Sequence, residues 1–295
     1  AKKYDTNAYY DGNIKKALGV ETNLDAIILA TPEWVRLDPI FEVLQAKKNL
    51  LYEKPLSANY SEAKKIYNIF QSADKDIVSM PVFNLRFTPQ YSSGYRKVQN
   101  GEIGKIRLIS SRRNGNRRIA SRIIGRISPF FWLSPHEMDM VRWFTSDEVE
   151  WVEAKQYQGA EELDGYLLAH LRLTTGIDVQ HMVSWCTPEI SSASNQSSFD
   201  IYGTKGILQL NETSNQGMVF QENDRVNVLD TGYAPVLEKQ QSGPFKDLVD
   251  YFVCCIRNGD SPRVTVDDAF NSIRICAAME LSFKESRRVF LEELF

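Results

Sequence analysis

The chain has 295 residues, of which 43% are hydrophobic and 25% charged, and its formal net charge at pH 7 is −3. These values are typical of a globular protein and exclude a disordered one, and no uncharged apolar run reaches the 18 residues expected of a membrane-spanning helix. The slightly acidic balance argues against nucleic acid as the main partner, because phosphate binding needs a basic surface. A chain of this length predicts two domains.

Three apolar runs separated by helical patterns predict a parallel sheet in the first part of the chain. The runs are DAIILA at 25–30, LLYE at 50–53 and DIVSMPVF at 76–83. Strands that alternate with helices in this way are typical of a parallel sheet covered on both faces. The opening stretch AKKYDTNAYYDG has the pattern of a helix end followed by a loop, so we expect the printed sequence to begin inside this domain.

A change to alternating apolar and polar residues after about residue 105 predicts a second domain. Its strands, roughly six in number, would form a large open antiparallel sheet joined by turns such as Thr175-Gly176. Helical patterns precede most of these strands at 135–144 and follow them at 244–259 and 265–286. We therefore predict an α/β domain over residues 1–83 and an α+β domain over residues 84–295.

Polar residues follow the first two predicted strands. Ala30-Thr31-Pro32 ends the first strand, and Glu53-Lys54-Pro55 ends the second. Ligands of parallel α/β sheets bind beyond the carboxyl ends of the strands, so both tripeptides are candidate binding residues. A lysine in a partly dry crevice has a lowered pKa and can exchange a proton with a hydroxyl. Spacing alone leaves it equally open that Lys54 only forms a salt bridge with Glu53.

A series of motifs in this order resembles the glucose-fructose oxidoreductase/inositol dehydrogenase (Gfo/Idh/MocA) superfamily, over nearly the whole chain. The motifs are AIILATP, LLYEKPLS, VFNLRFTP, GEIGKIRLI, HEMDMVRWF, IYGTKGILQL and the closing helical segment from DLVDYF onward. The resemblance implies that the first domain is a Rossmann-type domain binding NAD or NADP. It also implies hydride transfer between that cofactor and a hydroxyl or keto carbon of a sugar, cyclitol or sugar derivative.

The same resemblance assigns roles to individual residues. Lys54 would lie beside the nicotinamide and the reacting hydroxyl, and His136 would act as acid or base. Asp139, one helical turn further on, would bind substrate or only orient the His136 ring. Asn84 and Arg86 lie where the domains join, so they either line the substrate pocket or tie the crossover together.

The sequence departs from the family pattern in three places. No GxGxxG motif occurs, and we expect the phosphate-binding glycine turn to lie upstream of Ala1. Trp132 stands where many members have an aspartate, and it would form either a stacking wall for a sugar ring or part of the core. Arg36 stands where many members have a histidine. The change at Trp132 favours the alternative of a non-catalytic relative that binds dinucleotide or ligand as a sensor or assembly subunit.

An arginine-rich segment, RRNGNRRIASRIIGR, follows the strand that begins the second domain. Its arginines are Arg112, Arg113, Arg117, Arg118, Arg122 and Arg126. They either hold an anionic substrate at the pocket mouth or form a solvated loop. A module that binds RNA or DNA through this segment is a further alternative, which the acidic balance of the rest of the chain disfavours.

The remaining histidines and the cysteines indicate no metal site. His170 and His181 lie on predicted strands and are interpreted as sheet-face residues, since His136 and these two lack ligand spacing. The four cysteines lack CxxC spacing, which is typical of reduced thiols in a cytoplasmic protein. In the resembling family the open sheet face commonly forms a subunit interface, so a homo-oligomer is expected.

Overall fold

The computed structural model describes residues 14–21, 23–123, 125–157, 165–188, 195–211, 218–220, 226–228, 235–237 and 240–294. The predicted helix end and loop at residues 1–12 lie outside these described ranges.

The first sheet is parallel, with strand order β1-β2-β3. Its strands are β1 (Ala26–Leu29), β2 (Asn49–Glu53) and β3 (Ser79–Val82). Helices α1 (Ile14–Val20), α2 (Leu37–Gln45) and α3 (Tyr60–Ser72) lie between or before them. Leu50, Leu51 and Tyr52 are fully buried, as expected of a central parallel strand that is covered on both faces. The predicted strand–helix order of this part is confirmed.

A helical segment connects this sheet to the second one. A 3-10 turn at Asn84–Phe87 and helix α4 (Pro89–Gln99) follow β3. After the long strand β4 (Ile106–Asn116) the chain forms three helices before it returns to the sheet. These are α5 (Arg117–Ile123), α6 (Pro129–Trp132) and α7 (Pro135–Thr145).

The second sheet has seven strands in the described part of the chain, in the order β14-β5-β6-β7-β4-β8-β9. Its further strands are β5 (Val149–Tyr157), β6 (Tyr166–Leu173), β7 (Asp178–Thr187), β8 (Asn195–Gly203), β9 (Ile207–Asn211) and β14 (Val289–Phe290). The short pairs β10 (Met218–Phe220) with β11 (Val226–Val228) and β12 (Val236–Leu237) with β13 (Gln240–Gln241) form separate hairpins. Helices α8 (Pro244–Asn258) and α9 (Val266–Glu285) complete the domain.

The second sheet is mixed, with antiparallel pairing between most of its neighbouring strands. Strands β4 and β7 run parallel, and the other neighbours in the sheet are antiparallel. Parallel neighbours need a long crossover connection. The chain provides it because α5, α6, α7, β5 and β6 all lie between β4 and β7.

One face of this sheet is packed and the other is open. Along β6, Leu167, Ala169 and Leu171 are buried, whereas Tyr166 and Leu168 on the opposite face are exposed. Helix α9 contacts β5 and α7 and also α3 and β3 of the first sheet, so it joins the two parts of the molecule. No helix in the described ranges is long and apolar enough to cross a bilayer.

Candidate active site

Lys54 leaves the end of β2 and reaches a residue of the second predicted domain. Its ammonium donates a hydrogen bond to the backbone carbonyl of Trp132 at 3.2 Å and lies 4.9 Å from the centre of that residue's indole ring. The Lys54–Pro55 peptide bond is cis. Within the described residues Lys54 forms no ion pair with Glu53, so the salt-bridge alternative is not what the structure shows.

The surroundings of Lys54 favour loss of its proton near neutral pH. Burial lowers the pKa of the Lys54 ammonium from 10.5 to about 8, and the positive charge of Arg113 acts in the same direction. Glu53, Glu137 and Glu33 oppose this shift without cancelling it. A lysine with such a pKa can either donate or accept a proton under physiological conditions.

His136 occupies the first turn of α7, directly after Pro135. The side chain is half-buried, and its Nδ1 is buried without a hydrogen-bond partner among the described residues. Burial, together with the charges of Lys54 and Arg113, holds the pKa of the His136 imidazole well below 6.5. The ring is therefore neutral at pH 7, with one nitrogen able to accept a proton. Lys54 and His136 therefore lie close enough for the charge of Lys54 to lower the pKa of His136.

Arg36 ties together the two strand ends that carry the predicted binding residues. It is only 2% exposed. Its Nε and Nη2 donate to the carbonyl of Thr31 at 3.1 and 3.0 Å, and its Nη1 donates to the carbonyl of Pro55 at 3.0 Å. No role was predicted for Arg36. Its sequence signal was a charged residue directly before the helix that follows the first strand.

Arg86 and Asp139 form a buried ion pair. Asp139 is 0% and Arg86 4% exposed. The Nε of Arg86 donates to Asp139 at 2.9 Å and its Nη2 donates to the other carboxylate oxygen. Arg86 also donates to the carbonyl of Arg263 at 3.0 Å and pairs with Asp268 at 3.1 Å. Asp139 therefore orients Arg86 rather than the His136 ring, and the pair ties helices together instead of presenting free groups to a substrate.

Two further predicted substrate residues have different surroundings. Asn84 is buried, and its amide has no hydrogen-bond partner among the described residues. The indole of Trp132 is half-buried, and Lys54 lies over its face in a cation–π contact. Contact of either residue with a substrate stays a prediction.

The arginines of the arginine-rich segment lie in several different environments. Arg112 lines a groove on the open sheet face, and Arg113 is buried against Glu137 with an Nε–carboxylate distance of 2.6 Å. The guanidinium of Arg126 lies 5.1 Å from the ring centre of Trp34, in the loop after β1. Arg118 and Arg122 are exposed. The six arginines thus do not form one continuous anion-binding patch.

His170 and His181 lie on opposite faces of the large sheet. His170 is on the open face and lies 2.9 Å from Asp178. His181 is 2% exposed, and its ring nitrogens lie 2.8 Å from the Ser111 hydroxyl and 2.9 Å from the Ser134 hydroxyl. Within the described ranges, no group of three or more His, Cys, Asp and Glu side chains could hold a metal ion.

Lys54, at the end of a parallel strand, contacts Trp132 just before the helix that carries His136. Ligands of parallel α/β sheets bind at such strand ends, so the arrangement is typical of a ligand-binding α/β protein. Two family models match the chain: "Oxidoreductase family, NAD-binding Rossmann fold" over residues 1–80 and "GFO/IDH/MocA C-terminal domain" over residues 95–209. The chain belongs to the Gfo/Idh/MocA oxidoreductase superfamily.

Relatives and solved structures agree with this membership. Myo-inositol 2-dehydrogenase of Thermotoga maritima is 23% identical over 303 residues, covering 95% of this chain and 87% of that protein. The structure of myo-inositol 2-dehydrogenase from Lactobacillus plantarum superposes with a TM-score of 0.78 at 22% identity, covering 95% of this chain and 84% of the other. Scyllo-inositol dehydrogenase from Lactobacillus casei, solved with NAD(H) and scyllo-inositol, gives a TM-score of 0.76 at 20% identity, covering 95% and 84%. At these identities the structures establish the shared fold.

Proposed function

We propose that this protein is an NAD(P)-dependent dehydrogenase that interconverts a hydroxyl and a keto group on a sugar or cyclitol, with Lys54 and His136 handling the substrate oxygen and its proton. The observation that supports it most directly is the contact of the Lys54 ammonium with Trp132, which lies just before the helix of His136. The charge of Lys54 also lowers the pKa of His136. Membership in the superfamily and the inositol dehydrogenases among its relatives support the substrate class.

The residues at the sheet edge fit a nicotinamide and a polar substrate. Ala30 and Pro32 are exposed and Thr31 is half-buried, so the end of β1 is accessible to a ligand. The unpartnered Nδ1 of His136 is a buried polar atom that a substrate hydroxyl could satisfy. The tripeptides 30–32 and 53–55 would hold the nicotinamide end of the cofactor. When bound, the cofactor supplies the hydride acceptor or donor.

Lys54 and His136 would divide the work of proton transfer. The ammonium of Lys54 donates one hydrogen bond to Trp132 and has further N–H groups with which to hold the substrate oxygen. The neutral imidazole of His136 accepts the hydroxyl proton during oxidation and returns it during reduction. Arg36 keeps the loop that carries Lys54 in register with the end of β1.

Activity measurements test this function. The protein is incubated with NAD or NADP and a panel of cyclitols and sugars, and the absorbance of the reduced nicotinamide is followed. We expect turnover with at least one polyol and a loss of about 10²–10⁴-fold in kcat for Lys54→Met. Lys65→Met, which alters an exposed lysine of α3, is the matched control and should retain full activity. Tight NAD(P)H binding without turnover of any polyol or keto sugar would favour the sensor alternative.

The open sheet face supports assembly with a second copy. Leu168 of β6 is 44% exposed on this face, and the exposed rings of Tyr157 and Tyr166 stack with centroids 5.2 Å apart. Leu168→Glu should dissociate the assembly in sedimentation experiments, whereas a wild-type monomer would argue against it.

The four cysteines are free, which supports the expected reducing cytoplasmic environment.

A further inference from the structure

The turn that carries His136 is bonded to the large sheet through the residue before the helix. Ser134 is the N-cap of α7, but its hydroxyl makes no capping bond to the helix. It lies instead 2.9 Å from Nε2 of His181 on β7. A serine at this position usually accepts a hydrogen bond from an N–H group of the first turn. Here that interaction is replaced by a bond to the sheet.

His181 has the properties of a fixed link between the sheet and the helix. Its Nδ1 lies 2.8 Å from the hydroxyl of Ser111 on β4, so both ring nitrogens have a hydroxyl partner. Burial, assisted by the charge of Arg113, lowers the pKa of His181 to about 3. A neutral imidazole offers one donor and one acceptor, and two hydroxyl groups satisfy both. The link therefore does not change its protonation state near neutral pH.

A second bond to the sheet follows His136 directly. Glu137 accepts a hydrogen bond from Nε of Arg113 on β4 at 2.6 Å, and both side chains are almost completely buried. The sheet thus holds α7 two residues before His136 and one residue after it. Among the described residues, the buried Nδ1 of His136 finds no hydrogen-bond partner. Its orientation therefore depends on the neighbouring anchors.

We propose that His181 is a positioning residue for the reaction: by binding Ser134 it fixes the first turn of α7 and directs the His136 imidazole into the cleft that Lys54 lines. This inference rests on the proposed function of Lys54 and His136. A displacement of about 1 Å in a reacting group can reduce the rate by about 10²-fold, so loss of the link should act on kcat rather than on substrate binding.

Two substitutions of His181 separate positioning from general stability. Glutamine places a polar atom near the position of Nε2 and can keep the bond to Ser134. Asparagine places one near Nδ1 and can keep only the bond to Ser111. We expect His181→Asn and Ser134→Ala to lose about 10–100-fold in kcat with little change in KM, and His181→Gln to stay near wild type. Ser111→Ala is the matched control that removes only the bond to β4.

The pattern of kcat decides the inference. Equal losses in His181→Gln and His181→Asn, or a loss in Ser111→Ala as large as in Ser134→Ala, would overturn the positioning role. Thermal unfolding of all four variants is recorded beside kcat, so that a variant that has lost the fold is recognised. If a serine variant has unfolded, the comparison of kcat between His181→Gln and His181→Asn decides.

A spectroscopic readout makes the test independent of turnover. The chain contains only three histidines, so their ring nitrogen signals can be resolved by NMR. We expect the His136 signals to shift and broaden in Ser134→Ala and His181→Asn but not in His181→Gln. Unchanged His136 signals in an active enzyme would contradict the positioning role. The expected NMR response in a protein without turnover would instead contradict the proposed function while supporting the link.

Discussion

Within the described part of the chain, the ammonium of Lys54 is held by Trp132, through both the backbone carbonyl at 3.2 Å and the indole face at 4.9 Å. Both contacts favour the charged form of the lysine, whereas burial and Arg113 favour the neutral form. Trp132 stands at a position where an aspartate was expected from the family pattern. The backbone carbonyl and the indole ring of Trp132 therefore provide part of the stabilisation of the Lys54 charge that a carboxylate would provide.

The pKa of Lys54 predicts a limb in the pH profile. This pKa is lowered from 10.5 to about 8. Lys54 is therefore mostly the charged ammonium below that pH and mostly neutral above it. We expect kcat/KM for reduction of the keto substrate to fall as pH rises through about 8, since the ammonium that holds and polarises the substrate oxygen loses its charge. The measurement is kcat/KM against pH at saturating cofactor. A limb near the ordinary lysine value of about 10 would show that the cleft does not perturb Lys54.

Removal of the Trp132 ring should move this limb. A cation–π contact contributes about 0.5–2 kcal/mol to the charged form, which corresponds to a shift of up to about 1.5 pH units. We expect Trp132→Leu to lower the pKa of Lys54 and to bring the limb below pH 8, while the backbone carbonyl remains as acceptor. Trp143→Leu, which changes a tryptophan of α7 that stacks on Tyr95, is the control. A limb that moves upward in Trp132→Leu would contradict the role of the ring.

Substitution of Arg36 should loosen both strand ends together. Arg36→Met leaves the carbonyls of Thr31 and Pro55 without their donor, and each unsatisfied buried group costs about 1–3 kcal/mol. We expect a lower free energy of unfolding and weaker NAD(P)H binding, with Arg36→Lys intermediate because it lacks the planar fork. Cofactor titration and chemical denaturation measure the two effects. Arg257→Met, at an exposed position of α8, should change neither.

The Arg86–Asp139 pair should matter for stability and not for substrate affinity. Breaking a buried ion pair by removing one charge typically costs about 3–5 kcal/mol. We expect Asp139→Asn to lower the free energy of unfolding by this order while the KM for substrate stays unchanged, because Arg86 would be left buried without its main partner. A large rise in KM at unchanged stability would restore the substrate-binding interpretation of Asp139.

Local sequence patterns were sufficient to predict the three strands of the first sheet and the candidate residues at their ends. The apolar runs that became β1, β2 and β3 and the polar tripeptides that end the first two strands are all visible over a few residues. The positions of Lys54 and His136 came from motif resemblance, and the structure places Lys54 where its charge lowers the pKa of His136.

Contacts between distant residues could not be predicted from local patterns. The parallel pairing of β4 with β7 and the Arg86–Asp139 bond join residues far apart in the chain, and no local periodicity indicates them. The division of the arginine-rich segment was partly foreseeable. Arg112 and Arg113 are neighbours on a strand, and alternating side chains point to opposite faces of a sheet.

The most direct test of the account is a double-mutant cycle on Lys54 and His136, measured by single-turnover formation of reduced nicotinamide. If both side chains act on one substrate oxygen in one proton-transfer step, each of Lys54→Met and His136→Asn should lose about 10²–10⁴-fold, and the double variant should lose hardly more than either. Losses that multiply in the double variant, or wild-type rates in either single variant, would show that residues 54 and 136 do not serve a common reaction centre.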